Sequence, residues 1–135
     1  MKKFIGSKIL SVSILTLLTI LVSCSTKTEE KPDVVVDVKV SKQGYQPNEI
    51  TVPYGKVVLF RITAVDEGIG NDYSERYYGH CFYILPPYDV MVENIKEGET
   101  KEIKVKMIYP GDFIFTCPYC SGIFPTKGTL HVVKK

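Results

Sequence analysis

The sequence predicts an all-β fold, a Greek-key sandwich or barrel of about eight short strands. After residue 33 no apolar stripe recurs at helical period, and short β-rich runs are separated by turn residues such as Gly, Pro and Asn. One run, Glu102–Met107, alternates charged and apolar side chains, which is typical of a half-buried antiparallel strand. The chain has no Trp, but 6 Phe and 9 Tyr supply aromatic bulk for a core.

Eight runs have the length and composition of strands. The first, Val34–Val40, ends before Gly44-Tyr45-Gln46-Pro47-Asn48, which we expect to be a turn. Short strands at this spacing are typical of sandwiches with Greek-key connections. The other seven runs are Glu49–Val52, Val57–Val65, His80–Leu85, Tyr88–Glu93, Thr100–Met107, Gly111–Thr116 and Thr129–Val133.

Residues 1–23 have the features of an export signal. Three lysines come first, and an apolar run, Ile9–Val22, follows them. The run is shorter than the roughly 20 residues that a membrane span needs. Cys24 follows Leu21-Val22-Ser23, an arrangement that resembles the lipobox of bacterial lipoproteins. We therefore expect Cys24 to be lipidated and to become the mature N-terminus; an uncleaved single-pass anchor is the alternative.

Either form of the N-terminus tethers an exported domain to a membrane, on its periplasmic or outer-surface side. Residues 24–33 are polar and lack apolar periodicity, so they predict a short flexible tether after the lipidated Cys. Residues 34–135 are enough for one domain with one core. Without residues 1–23 the chain keeps 14 basic and 15 acidic residues, so nucleic-acid binding has no electrostatic support.

Strand alternation places the chemically active side chains. His80, Phe82 and Ile84 share one face, so His80 points inward at the end of its strand if the other two are core residues. Phe113, Phe115 and Cys117 share a face by the same rule. Cys81 is expected to point away from His80. His131 lies between Leu130 and Val132 and is expected to face solvent.

Two thiolates and one imidazole that converge at the end of a β-sandwich suit copper. The chain offers His80 and the pair Cys117-Pro118-Tyr119-Cys120 for such a site. With Cys81 the set becomes three cysteines and one histidine, a soft set suited to Cu(I) or, less well, to Zn(II).

The chain resembles the cupredoxins, and most closely the copper-A domain of cytochrome oxidase subunit II and nitrous oxide reductase. The resemblance spans residues 34–133 and implies a copper protein that transfers electrons or handles Cu(I). It also implies that His80, Cys117 and Cys120 are copper ligands, because they match ligand positions of the family. The matching segments are Tyr45–Val58, His80–Ile84, Glu97–Thr100, Pro110–Cys117, Tyr119–Gly122 and Gly128–Val132.

Two departures from the family pattern stand out. The family has Cys-x3-Cys-x3-His-x2-Met, whereas this chain has Cys117-x2-Cys120, with Phe124 or Pro125 in place of the second His and Thr126 or Lys127 in place of the Met. The family also has an Asp three residues before its first His. Here an insertion, residues 67–79, separates Asp66 from His80; it is either a lid or docking surface, or a tolerated surface loop.

Other functions of the Cys-x2-Cys pair stay open. Cys-Pro-Tyr-Cys is also the dithiol motif of glutaredoxins, but that activity needs a following helix, and Gly122 and Pro125 oppose one. A structural or redox disulfide without metal is the main alternative, because disulfides persist in exported proteins. The sequence shows no hydrolase or transferase motif, so we expect no enzyme. A cytochrome, an oxidase or a copper-accepting protein is the expected partner, besides the membrane.

Overall fold

The computed structural model describes residues 29–69, 78–120 and 122–135, and within them nine strands form the fold. No helix in these three ranges is long and apolar enough to span a membrane. The predicted signal, the lipidation of Cys24 and most of the insertion lie outside the described residues. The strands are β1 (Val34–Ser41), β2 (Gly44–Gln46), β3 (Glu49–Pro53), β4 (Val57–Ala64), β5 (His80–Ile84), β6 (Val90–Ile95), β7 (Thr100–Lys106), β8 (Gly111–Thr116) and β9 (Lys127–Val133).

The strands form two sheets, which confirms the predicted all-β class. One sheet has the order β2-β1-β4-β7 and the other the order β3-β9-β8-β5-β6. Strands β1 and β4 are parallel, as are β3 and β9, and the other neighbours are antiparallel. Consecutive strands therefore often lie in different sheets, as in a Greek-key sandwich.

Two predicted elements were placed wrongly. Gly44–Gln46, expected in a turn, forms β2 and pairs with the end of β1, because the reversal is completed between Ser41 and Gly44. The strand predicted over Tyr88–Glu93 begins and ends two residues later, at Val90–Ile95. Tyr88 is instead half-buried and donates its hydroxyl to the Tyr109 carbonyl.

Aromatic rings from both sheets fill the core. Phe82 packs against Phe115 with ring centroids 5.1 Å apart and against Phe60 at 5.5 Å. The Tyr45 ring meets Phe115 edge to face at 5.1 Å. Such pairs add to the free energy gained from burial alone. The inward positions of Phe82, Ile84 and Phe115 are as the alternation predicts.

The chemically active side chains and the entry of the chain lie at opposite ends of the sandwich. We call the end at which β1, β4 and β8 finish and β5 begins the upper end, and the opposite end the lower end. Cys81, Cys117, Cys120 and His80 lie at the upper end. Chain entry at Asp33 lies at the lower end, where the Asp33 N–H donates to the Val57 carbonyl.

We predict that Gly79→Ala destabilises the protein by about 1–3 kcal/mol more than Gly55→Ala, since overpacking adds to backbone strain. Both glycines have positive φ, +73° and +79°, so both variants carry the strain. At Gly79 the new Cβ overlaps the Ile95 carbonyl oxygen, whereas at Gly55 it meets no described atom within 4 Å. Urea unfolding of both variants measures the difference, and equal losses would contradict the packing.

Candidate metal centre

Strand pairing brings His80 next to the loop that follows β8. In the antiparallel β5–β8 ladder Tyr83 lies opposite Thr116, and Ile84 lies opposite Phe115. Continued upward, this register sets His80 level with Tyr119, inside the Cys117–Cys120 segment. The fold therefore joins, across 37 to 40 residues of sequence, the side chains that were predicted to converge.

The segment after β8 consists of two successive turns. The Cys120 N–H donates to the Cys117 carbonyl at 3.1 Å, and the Ile123 and Phe124 N–H groups both donate to the Cys120 carbonyl at 2.9 Å. A bond of 3.3 Å from the Cys117 N–H to the Thr126 carbonyl closes the base of the loop. No helix follows within the described part of this loop, so the helix terminus that activates a glutaredoxin thiol is not formed there.

Cys117 and Cys120 form a disulfide in this structure. Both residues are fully buried, and His80 is 1% exposed. Within the described residues no group of three His, Cys, Asp or Glu side chains is arranged to hold a metal ion. In the disulfide the two sulfurs are bonded to each other, and neither is a thiolate.

His80 is held from both sides. Its Nε2 lies 2.6 Å from Asp66 Oδ1, and its Nδ1 lies 4.0 Å from Cys120 Sγ. An ionised carboxylate only accepts, so Nε2 carries the hydrogen and donates it to Asp66. In the neutral ring Nδ1 then has the free lone pair, on the side of Cys120 Sγ.

Asp66 is itself fixed by the backbone. Oδ2 accepts the Lys42 N–H at 2.9 Å, and Oδ1 accepts the Gly68 N–H at 3.1 Å. Burial alone raises the pKa of Asp66, but these two N–H groups and His80 outweigh it and hold the pKa below its usual value. The carboxylate therefore remains an acceptor for His80 at neutral pH.

The insertion leaves the Asp66–His80 contact intact because its two ends are clamped together. The Ile69 N–H donates to the Gly79 carbonyl at 3.0 Å, and the Gly79 N–H donates to the Ile69 carbonyl at 2.7 Å. Gly68 lies directly over the imidazole, where an added Cβ would come within 2.8 Å of His80 Cδ2. Residues 70–77, on which the lid interpretation depends, lie outside the described residues.

Cys81 lies next to His80 in β5 and is buried. The pairing of β5 with β6 shifts between His80 and Phe82, and Cys81 is fully buried and free. Its carbonyl accepts the Tyr45 hydroxyl at 2.6 Å. Burial raises the pKa of the Cys81 thiol to about 12, although a backbone hydrogen bond from Tyr119 opposes the shift. Cys81 thus borders the Cys117–Cys120 loop as a protonated thiol.

The positions that replace the missing family ligands hold no metal donor. Phe124 is half-buried, Pro125 is exposed, and the Lys127 side chain is exposed. Thr126 is buried, and its hydroxyl lies 3.5 Å from the Cys117 carbonyl oxygen. The other histidine, His131, lies between the buried residues Leu130 and Val132 and pairs on the surface with Asp112 at 2.7 Å, which confirms its predicted outward position.

Sequence reasoning missed the role of Asp66. The insertion separates Asp66 from His80 by 14 positions, so no local spacing indicates their contact. The signal that was present is the Asp at the end of β4, where the family that this chain resembles also carries an Asp. Tyr45, expected in a turn, was likewise missed as a support of the Cys81 backbone.

Comparisons with known proteins agree with the fold. Residues 13–132 match the family described as "Cupredoxin-like domain". Among solved structures, the periplasmic domain of cytochrome oxidase subunit II from Bradyrhizobium japonicum is 18% identical, covers 78% of this chain and 88% of its own, and has a TM-score of 0.56. No curated protein matches the chain.

Two further solved structures are similar. The metal-binding domain of the Streptococcus pneumoniae Cu(I)-exporting P-type ATPase, solved with Cu(I), is 19% identical, with 78% of this chain and 91% of that chain covered and a TM-score of 0.53. A mixed disulfide between a thioredoxin-like protein and subunit II of cytochrome c oxidase is 18% identical, with 79% and 86% covered and a TM-score of 0.56. At 18% and 19% identity these similarities concern the fold alone.

We predict that Cys81 in the folded protein reacts with iodoacetamide at pH 8 at least about 1,000-fold more slowly than in urea, because only the thiolate reacts. A thiol of pKa about 12 is far less ionised at pH 8 than one of ordinary pKa 9.0, and burial slows access further. Peptide mass mapping locates the label. Labelling of folded Cys81 at the rate of an exposed thiol would contradict its burial.

Proposed function

Because the chain belongs to the cupredoxin-like domain family, we propose that it is a membrane-anchored, extracytoplasmic protein that binds copper through Cys117, Cys120 and His80 and hands Cu(I) to a partner. The donor set carries the proposal. Two sulfurs and an imidazole nitrogen lie together in a buried site, with His80 Nδ1 4.0 Å from Cys120 Sγ. Soft sulfur donors with imidazole select copper and, less well, zinc.

The state that binds copper in this proposal is the reduced one. Opening the Cys117–Cys120 disulfide consumes two electrons and two protons, which a dithiol protein supplies as it becomes a disulfide. A thioredoxin-like protein forms a mixed disulfide with subunit II of cytochrome c oxidase in one of the structurally similar complexes. We propose a reductant of the same class for this chain, followed by loss of the thiol protons when the metal binds.

Cu(I) handling is favoured over electron transfer by the donors present. The positions of the second His and the Met hold Phe124 or Pro125 and Thr126 or Lys127, and Thr126 contacts the Cys117 carbonyl instead. A site with few ligands releases its cargo more easily than a closed one. Electron transfer to a cytochrome or oxidase remains the competing outcome, and it predicts an intense visible thiolate-to-Cu(II) band.

A second candidate follows from the disulfide itself. A cupredoxin fold with a Cys117–Cys120 bridge and no metal would serve a structural or thiol-redox function. The free, protonated Cys81 does not compete with the bridge, since its thiolate is scarce at neutral pH. Under this alternative the reduced chain retains no copper and reoxidises to the bridge.

We predict that the reduced protein retains at least one copper per chain after desalting, and that the oxidised protein retains none. Loss of one donor in Cys120→Ser or His80→Gln should lower Cu(I) affinity by roughly 100-fold or more. This exceeds the loss of about 10- to 100-fold that is typical when a residue that only positions a ligand is replaced. Competition with a chromophoric Cu(I) chelator measures the affinity. The visible spectrum separates a Cu(I) carrier from an electron carrier.

The matched control is His131→Gln, because His131 also pairs with a carboxylate but lies at the surface, with Asp112. Its affinity should equal that of the unmodified chain. Thermal unfolding of each variant verifies that the fold persists. Equal affinity in His80→Gln, or a reduced chain that retains neither copper nor zinc, would refute the proposed site.

We predict that Asp66→Asn lowers Cu(I) affinity by about 10- to 100-fold while leaving the stoichiometry unchanged, because the amide no longer fixes the imidazole as a carboxylate does. Nitrogen NMR of the metal-free protein reports which ring nitrogen of His80 carries the hydrogen, and Asp66→Asn should populate both forms. Asp112→Asn, which alters only the surface pair, is the control. An unchanged affinity and an unchanged His80 spectrum would show that Asp66 does not position the ring.

A further inference from the structure

The start of the described chain runs back over the outer face of the sheet β2-β1-β4-β7. Glu29 Oε1 lies 2.6 Å from Lys104 Nζ. Glu30 Oε1 lies 3.5 Å from Lys106 Nζ. Both lysines occupy exposed positions of β7, which alternate with positions that pack inward, so their side chains point away from the core. We call residues 29–33 the strap, because they lie on the sheet.

The strap passes over the first residue of β4, Val57. The Asp33 N–H donates to the Val57 carbonyl at 2.8 Å, and the Asp33 carboxylate accepts the Val57 N–H at 2.9 Å, so the strap is held beside β4. Val57 lies opposite Lys106 in the ladder of β4 with β7. The direct path from Asp33 to Glu30, which binds Lys106, therefore crosses the outer face of β4 at Val57.

The burial of Val57 is independent evidence for this path. Val58 and Phe60 belong to the core, so alternation turns Val57 to the outer face of the sheet. On that face Leu59 is half-buried and Arg61 is exposed, yet Val57 is only 4% exposed and lies outside the core cluster. An apolar side chain on an outer face is shielded from water only where another segment covers it, and the strap is the segment that crosses there.

The strap is directed from the lower end toward the metal end. Lys106 is the last residue of β7, at the lower end, and Lys104 lies two residues nearer to the upper end, where β7 begins. Followed backward from Asp33, the strap meets Lys106 through Glu30 and then Lys104 through Glu29. The tether that precedes Glu29 therefore leaves the described chain on a course along β7 toward the upper end.

The charge of the next tether segment matches that of the next outward position on β7. Above Lys104 this position holds Glu102. Residues 25–28 read Ser-Thr-Lys-Thr, with Lys27 as their one charged residue. An extended chain that places Glu29 at Lys104 brings Lys27, two residues earlier, level with Glu102, because both segments advance about 3.3 Å per residue.

Glu102 has a carboxylate available for this contact. It lies opposite Arg61 in the ladder, but Arg61 binds Asp37 of β1 through Nε at 2.7 Å and Nη2 at 2.9 Å. Among the described residues Glu102 has no ion pair within 4.0 Å. A lysine that arrives from the tether would extend the row of ion pairs that the two lysines of β7 begin.

We propose that the outer face of β7 is a docking surface for the tether, occupied by residues 25–28 as well as by the strap, with Lys27 paired with Glu102. Single exposed ion pairs contribute little, whereas several in a row act as a network. Cys24 would then follow near the start of β7, at the same end of the sandwich as the proposed copper ligands. The docking itself requires neither copper nor a lipid on Cys24.

A nitroxide label at Thr26→Cys tests the docking by paramagnetic relaxation of backbone amides. The protein is expressed from the full-length sequence, purified in detergent and labelled while oxidised, when Cys117 and Cys120 are joined and Cys81 is buried. Peptide mass shows where the label sits. A second label on an unacylated Cys24 lies two residues away and leaves the comparison unchanged.

Three amides give the readout. Lys101 lies on β7 beside the docked label, Val38 lies at the same level on β1, and Lys106 lies at the lower end of β7. The Lys101 amide should relax several-fold faster than the other two. A tether that pivots freely at Asp33 would instead relax Lys106 at least as fast as Lys101, and that result overturns the inference. Relaxation of Val38 as fast as that of Lys101 overturns it as well.

Variants identify the contacts that hold the tether. Lys104→Gln/Lys106→Gln should bring the relaxation at Lys101 down to that at residue 106, and high salt should act in the same direction. Lys39→Gln/Lys135→Gln removes the same charge from exposed positions away from β7 and should leave the relaxation at Lys101 intact. Thermal unfolding verifies that each variant is folded. An unchanged pattern in Lys104→Gln/Lys106→Gln refutes the ion pairs as the cause of docking.

The docking and the proposed function fail separately. Copper loading and the mass of the Cys24 peptide are measured on the same protein. Acylated, copper-binding protein in which Lys101 relaxes no faster than Val38 refutes the docking alone. If Lys101 relaxes fastest in a protein that retains no copper or carries no lipid, the docking stands and the copper site or the anchor is wrong.

Discussion

The hydrogen bond between His80 and Asp66 is the constraint on which the upper end of this molecule depends. Asp66 follows β4 in one sheet and His80 begins β5 in the other, so the 2.6 Å contact ties the two sheets together. The carboxylate is itself held by the Lys42 and Gly68 N–H groups. A ring fixed in this way has one nitrogen committed to Asp66 and the other directed at Cys120. The histidine is therefore preorganised before any ligand arrives.

Burial decides what the sulfur atoms can do. Cys117, Cys120 and Cys81 are all shielded from solvent, but their chemical states differ. The first two form a disulfide within a tight turn, and the third is a thiol whose pKa burial raises to about 12. Reduction would add two thiols beside a fixed imidazole. The redox state of one four-residue segment thus separates the two functions considered for this fold, copper handling and thiol redox chemistry.

The sequence predicted the class of fold and the strands that bring His80 beside the Cys117–Cys120 segment, because apolar alternation and turn residues are local signals. It placed Gly44–Gln46 in a turn. These residues instead pair with β1 as the short strand β2, and this pairing depends on the chain reversal between Ser41 and Gly44. The burial of Cys81 was not predictable by alternation, because it depends on what covers the other face of β5. The contact of Asp66 with His80 spans an insertion. It forms because backbone hydrogen bonds between Ile69 and Gly79 hold the two ends of the insertion together. The bond state of Cys117 and Cys120 depends on redox conditions as well as on sequence.

X-ray absorption at the copper edge, measured on the reduced and copper-loaded protein, tests the central claim most directly. We predict two sulfur donors and one imidazole nitrogen on copper in the Cu(I) state, with the imidazole signal absent from His80→Gln. A first shell of three sulfurs, which would bring Cys81 into the site in place of His80, would contradict it. A shell of nitrogen and oxygen donors alone would contradict it as well, because the copper would then be bound away from Cys117 and Cys120.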